Sequence, residues 1–141
     1  MSQSWPSTYP ADCPPEQALD ANGTFYRLVK NDPPAREDFR TLAEQYPSRR
    51  FSTKPSPKSG VSELVKAHGL SLMADKEDVI RLRRAVPAYR DGLLGKGDLV
   101  PDHGKVLATP SQSGRSHHTW WTYDGAEPEA AFVVVAEPED D

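Results

Sequence analysis

Gly114-Arg115-Ser116-His117-His118-Thr119-Trp120-Trp121-Thr122-Tyr123 is the stretch whose reading decides the fold. It holds two of the three tryptophans and two of the four histidines. In a strand, successive side chains point to opposite faces. His117, Thr119, Trp121 and Tyr123 then share one face, and Ser116, His118, Trp120 and Thr122 share the other. Each face receives a histidine and a tryptophan, so neither is simply wet or simply dry. The pattern is that of an inner strand covered on both sides, with polar groups at one end. Its indole and imidazole groups need local partners, and the His-rich end is a candidate rim for a binding pocket.

Outward from this strand the chain supplies the rest of a sheet. Residues 105–109 and 131–136 read as strands before and after it, and loops 110–114 and 124–129 are long enough to shape a pocket mouth. Upstream, the Asn22-Gly23 turn leads into an alternating strand at 24–30. There Phe25, Arg27 and Val29 share one face, and Tyr26 and Leu28 the other. Asp32-Pro33-Pro34 marks a helix start. Phe39, Leu42, Ala43 and Tyr46 then follow at helical spacing until Pro47. Residues 48–60 have no periodicity and are expected to be a mobile basic loop. A second short helix carries Val61, Leu64, Val65 and His68, with Gly69 expected as its left-handed cap. Residues 70–74 form a buried strand. Asp75 caps a third helix, whose buried stripe is Val79, Leu82 and Val86 and which Pro87 ends. The glycines at 92–97 suggest a turn, and Leu99-Val100-Pro101 a short edge segment. The expected fold is α+β: a single domain with a mostly antiparallel sheet and about three helices in the first two-thirds of the chain. Residues 1–24 read as an irregular Pro-rich arm pinned by Trp5 and Tyr9, 25–136 as the domain, and 137–141 as an acidic tail. Leu72, Trp120, Phe132 and Val134 are the expected centre of the core.

Composition narrows the function classes. A chain of 141 residues is one domain's length. The single cysteine, Cys13, excludes an internal disulfide and suits a reducing cytosol. No charged-then-apolar leader and no run of membrane-spanning length are visible, so a cytoplasmic protein without a membrane is expected. The net charge of −4 argues against a dedicated nucleic-acid binder. Charge is uneven, though: residues 47–62 hold Arg49, Arg50, Lys54 and Lys58, with no acid at all.

The candidate chemistry is sparse. Adjacent His117 and His118 point apart on a strand, and no H-x-x-x-H or C-x-x-C spacing exists, so no metal site is expected. Cys13 sits in the arm, where nothing fixes a base beside it. Ser116 and His117 are strand neighbours that diverge, outside any G-x-S-x-G turn. Phosphate-cradling glycine loops are absent, although Arg27, the Arg49-Arg50 pair and Arg115 could gather around an anion.

One ordered set of residues carries a resemblance: Arg27 on the first strand, Phe51-Ser52-Thr53 in the middle, and Glu127-Pro128-Glu129 before the last strand. The order resembles the Arg, Ser-Thr-Ser and Glu-x-Glu signature of the ADP-ribosyltransferase family. Here the middle motif reads Ser-Thr-Lys in a proline-rich loop, and a proline separates the glutamates. The resemblance implies an arginine and a serine that position NAD, with Glu129 or Glu127 steadying the ribosyl cation.

The leading expectation is a small protein-binding module of the antitoxin, immunity or accessory kind, with another protein as partner and no cofactor. Arg115, Trp120, Trp121 and Tyr123 are of the residue types that anchor interfaces. The alternative is a nucleotide- or NAD-using transferase with NAD as cofactor and a pocket around Arg27, His117 and His118. The two expectations differ in geometry: convergence of Arg27, a histidine and a carboxylate on one cleft, or an exposed aromatic patch.

Overall fold

The strands of the computed structural model, which describes residues 3–112 and 114–136, are β1 (Leu19–Asp20), β2 (Gly23–Val29), β3 (Leu70–Met73), β4 (Leu93–Leu99), β5 (Lys105–Ala108), β6 (His117–Trp121) and β7 (Phe132–Val134). They make one seven-stranded antiparallel sheet in the order β1-β5-β6-β3-β2-β4-β7. The helices are α1 (Leu42–Gln45), α2 (Glu63–Ala67) and α3 (Lys76–Ala85). The fold is therefore α+β. No helix among the described residues is long and apolar enough to cross a membrane. The expected acidic tail, 137–141, lies outside the described residues.

The alternation along β6 sorts its side chains as its sequence implies. On one face His118 meets Phe25 edge-on at 5.1 Å between centroids, and Trp120 meets Phe132 at 5.9 Å. These rings belong to the main core with Val29, Phe39, Leu72 and Leu99. On the other face Trp121 packs with Cys13, Ala18, Val61 and Val65. Trp120 is 1% exposed and Trp121 0%. Each indole N–H still finds a carbonyl: His103 O at 2.8 Å for Trp120, Val65 O at 3.0 Å for Trp121. Burial of these two large rings is thus obtained without an orphaned donor.

β4 departs from the turn expected at residues 92–97. It pairs with β2 along its whole length and with β7 on its other side, so Leu99 is buried in an inner strand rather than at an edge. Its glycines are packing features. A Cβ on Gly97 would lie 2.7 Å from the Phe132 ring, so the strand needs glycine where an aromatic ring lies flat on it. Gly69 also differs from expectation. It is not left-handed; a Cβ there would collide with Thr119 Cγ2 on β6. Its role is close approach, and His68 ends α2 in a right-handed conformation.

The long first helix does not form. A 3-10 turn at Arg36–Phe39 stops at Arg40, whose backbone is extended. Thr41 then opens α1 afresh, accepting from the Glu44 amide while the Glu44 carboxylate takes the Thr41 amide. This reciprocal cap outweighs the helical stripe. Of that stripe only Phe39 is buried, and Leu42 and Tyr46 face outward. Asp32 does not cap the first turn; Asp38 organises it by accepting from the Lys30 and Ala35 amides. α3 follows its sequence signals, with Asp75 capping the Glu77 amide and Val79 buried. In the N-terminal segment Trp5 stacks on Tyr123 at 4.4 Å, residues 19–20 form β1, and residues 23–24 already belong to β2. Val134 is only partly buried, because β7 ends at the sheet's edge.

Phe132 bridges Phe39, Trp120 and the bare backbone of Gly97. Phe132→Ala is expected to cost about 3–5 kcal/mol through lost transfer energy and a residual cavity. Urea unfolding followed by tryptophan fluorescence checks this, and an unchanged midpoint would contradict it.

Candidate functional site

The best-built exposed feature grows from the short α1. Its last amide bond, from Tyr46 to Leu42 O at 2.9 Å, is followed by a turn in which the Arg49 amide donates to Tyr46 O at 3.0 Å. Pro47 prevents the helix from continuing. The chain therefore doubles back, and Arg49 comes to lie between two aromatic rings. Its guanidinium carbon is 6.0 Å from the Tyr46 ring centre and 5.0 Å from that of Phe51. Both distances suit cation–π attraction. Tyr46 is 51% exposed and the neighbouring Leu42 44%, so the stack stands at the surface beside apolar area.

The segment that follows is tied at defined points. The Leu64 amide donates to Ser52 O at 2.9 Å, the Ser56 amide to Val61 O at 3.0 Å and the Gly60 amide to Ser56 O at 2.8 Å. Gly60 has φ +73°, which closes the turn, and Val61 anchors it in the core. Arg50, Lys54 and Lys58 project from this frame, all exposed. Among the described residues none of these cations, nor Arg49, has a carboxylate within salt-bridge distance. Four positive charges and a Tyr-Arg-Phe stack thus share one pre-shaped surface on a chain whose net charge is −4.

The residues singled out in the sequence are dispersed. Arg27 is consumed internally. Its guanidinium donates to Asp38 O through Nε at 3.1 Å and Nη2 at 2.9 Å, and to Ser71 O through Nη1 at 2.8 Å. It also stacks on Phe39 at 5.3 Å. Burial lowers its pKa to about 10, offset in part by Asp38. Trp120 and Trp121 are in the core and reach no surface. His117 Nδ1 lies 3.0 Å from Thr109 O and 2.9 Å from the Thr109 hydroxyl, so it is engaged by that one residue. His118 Nδ1 lies 2.7 Å from Ser116 O, a carbonyl that can only accept, so this nitrogen donates. Arg115 borders a shallow hollow with Asp75, Asp78 and Arg81. Tyr123 sits under Trp5 at the foot of the arm. Glu127 is exposed, while Glu129 sits in the 3-10 turn Pro128–Ala131 with Oε1 buried and without a hydrogen-bond partner. No described cavity joins Arg27, a histidine and either glutamate. Cys13 is buried, and burial, with Asp12, pushes its thiol up to about 12. Among the described residues no group of three or more His, Cys, Asp or Glu could hold a metal ion.

Asp78 ties α3 to β6. Its pKa is lowered by hydrogen bonds from the Ser116 hydroxyl (2.7 Å) and amide (3.1 Å), with Arg81 adding to the effect. Burial alone would raise Asp38, but the Ala35 and Lys30 amides and Asn31 lower it overall. His117 is lowered chiefly by burial.

No family model, curated protein or solved structure matches the chain.

Arg27→Ala is expected to cost about 1.5–3 kcal/mol, because two carbonyls lose a charged donor in a partly buried setting. Arg27→Lys should also destabilise, since a single ammonium cannot span both acceptors. Chemical denaturation checks both, and a native-like midpoint for the lysine variant would contradict the structural role. The pH dependence follows from the depressed groups. A folded pKa below the unfolded one contributes stability above the unfolded value, and that stability is lost as pH falls through the folded value. His117 should therefore cost stability as pH drops below about 6.5, and Asp38 and Asp78 below about 4. In a melting-temperature series against pH, Asp78→Asn should be less stable at neutral pH and shallower on the acid side.

Proposed function

We propose that the protein is a binding module whose partner is another protein, engaged through the Leu42, Tyr46, Arg49 and Phe51 surface and the adjoining cations. The observation that carries this reading is the exposed Tyr46–Arg49–Phe51 stack held in a hydrogen-bonded frame. Tyrosine and arginine are the residue types that dominate interface energetics. A surface already ordered before contact loses less conformational entropy on association. Arg50, Lys54 and Lys58 around it favour an acidic partner, steering its approach more than adding to its final affinity. An antitoxin, immunity or accessory role in the cytoplasm is the biological setting we attach to this reading.

A nucleotide- or NAD-using transferase is the second reading, favoured by the unpartnered Glu129 Oε1, which a ligand hydroxyl could satisfy. It would require an arginine other than Arg27 to hold the phosphates, since Arg27 is engaged by Asp38 and Ser71.

The test places a photo-crosslinking amino acid at Tyr46, at Phe51 or, as a control, at exposed Leu19, in the native cell. One protein adduct should form at positions 46 and 51 and not at 19, and Lys54→Glu with Lys58→Glu should abolish it. Adducts that survive the charge reversal, or none at either position, would overturn the proposal. Calorimetry with millimolar NAD addresses the second reading: heat lost in Glu129→Gln would favour it over the first.

A further inference from the structure

A second concave surface lies where the N-terminal arm crosses the domain. The arm is held there by Trp5 on Tyr123, by the Asp124 amide on Ser4 O (2.8 Å), and by the Tyr9 hydroxyl donating to Thr122 O (3.3 Å). Between it and the segment 36–44 opens a cavity of about 400 Å³. That is within the range of small-ligand sites, roughly 300–1,000 Å³. Four separate stretches build it, so its shape depends on the whole fold rather than on one loop.

The lining is layered. Phe39 and Leu70 are buried and form the floor, with Tyr9, His68 and Tyr123 partly buried around them. Tyr9 meets the His68 ring edge-on at 5.7 Å. The exposed rim carries Arg36, Glu44 and Asp124. One carboxylate oxygen of Glu44 receives the Thr41 amide. Among the described residues, the Asp124 carboxylate and both ring nitrogens of His68 have no hydrogen-bond partner. Two carboxylates against one guanidinium leave the rim with excess negative charge. Tyr9, Phe39 and Tyr123 supply aromatic surface to the lining. Burial lowers the pKa of His68, against the pull of Glu44, and a neutral imidazole offers one nitrogen as an acceptor.

We infer that this cavity binds an organic cation, a guanidinium or ammonium head on a short apolar stem, with the head at Glu44 and Asp124 and the stem against Tyr9, Phe39 and Tyr123. Aromatic walls with nearby carboxylates favour such cations, and the His68 acceptor favours heads that carry N–H over quaternary ones. The ligand is either a free small amine or the arginine or lysine side chain of a protein. This inference stands apart from the Tyr46–Arg49–Phe51 surface and does not rest on it.

Calorimetry on the full chain tests it with agmatine as the free cation, N-acetyl-argininamide as the peptide-borne form, and benzoate as an organic anion. Agmatine should bind, and Glu44→Gln combined with Asp124→Asn should weaken it about tenfold or more, a loss of about 1.4 kcal/mol. Glutamine preserves the Thr41 cap, so the variant should keep the native fold by circular dichroism. His68→Leu should weaken agmatine but leave tetramethylammonium unchanged. Tighter binding of N-acetyl-argininamide than of agmatine would assign the ligand to a protein side chain, and the reverse order to a free amine. Agmatine affinity equal in native and double-variant chains would overturn the inference. So would preferential benzoate binding lost in Arg36→Ala, or no heat from any probe at millimolar concentration.

Discussion

The Arg27 guanidinium closes a seam on which the rest of the sheet depends. β2 pairs with β4 through seven residue pairs but with β3 through the single pair Tyr26–Met73. The sheet is therefore two well-laddered halves, β1-β5-β6-β3 and β2-β4-β7, joined by little backbone pairing. Arg27 crosses that joint from β2 to Ser71 O on β3, while its other donors hold the 3-10 turn through Asp38 O. Asp38 in turn holds the chain leaving β2, through the Lys30 amide. One buried cation thus organises carbonyls from two elements, and Phe39 is placed to stack on it and to reach Phe132. Its value to the fold lies in the three charge-assisted donors that it supplies to two main-chain acceptors on separate elements.

Interior polar demand explains where reactive surface remains. The two indoles, His117, His118, Asp78 and Arg27 all spend their polar groups on neighbours within the domain. Arg49, Arg50, Lys54 and Lys58, on the segment after β2, are by contrast exposed. α1 and its C-cap serve both exposed features: Glu44 borders the cavity, while Tyr46 meets the stacked arginine. The reciprocal Thr41–Glu44 cap that breaks the helical stripe is also what sets those two faces apart.

The strand His117–Trp121 was legible in the sequence because alternation of large rings leaves little choice of faces. α3 was legible for a similar reason: an aspartate cap, a buried valine and a terminating proline all agree. β4 was not, since Gly95 and Gly97 look like turn residues until Val29 is seen against the first and Phe132, distant in sequence, against the second. Two-residue β1 is too short to carry a periodic signal. The role of Arg27 was hidden because its acceptors are main-chain atoms, on which side-chain identity has no bearing. The Tyr46–Arg49–Phe51 stack follows neither a strand nor a helix period, for Pro47 lies within it. Glu44 and His68 meet only because the chain returns, and the one local hint was the Thr41-x-x-Glu44 cap itself.

The sheet ends in strands of two and three residues, β1 and β7. Unpaired backbone at an edge is a template for any extended chain that can lie beside it. Edges this brief present too few free amides and carbonyls to recruit an added strand by main-chain pairing. What the sheet offers at its margins is therefore side chains, whose identity can discriminate, rather than a backbone ladder that accepts almost any sequence.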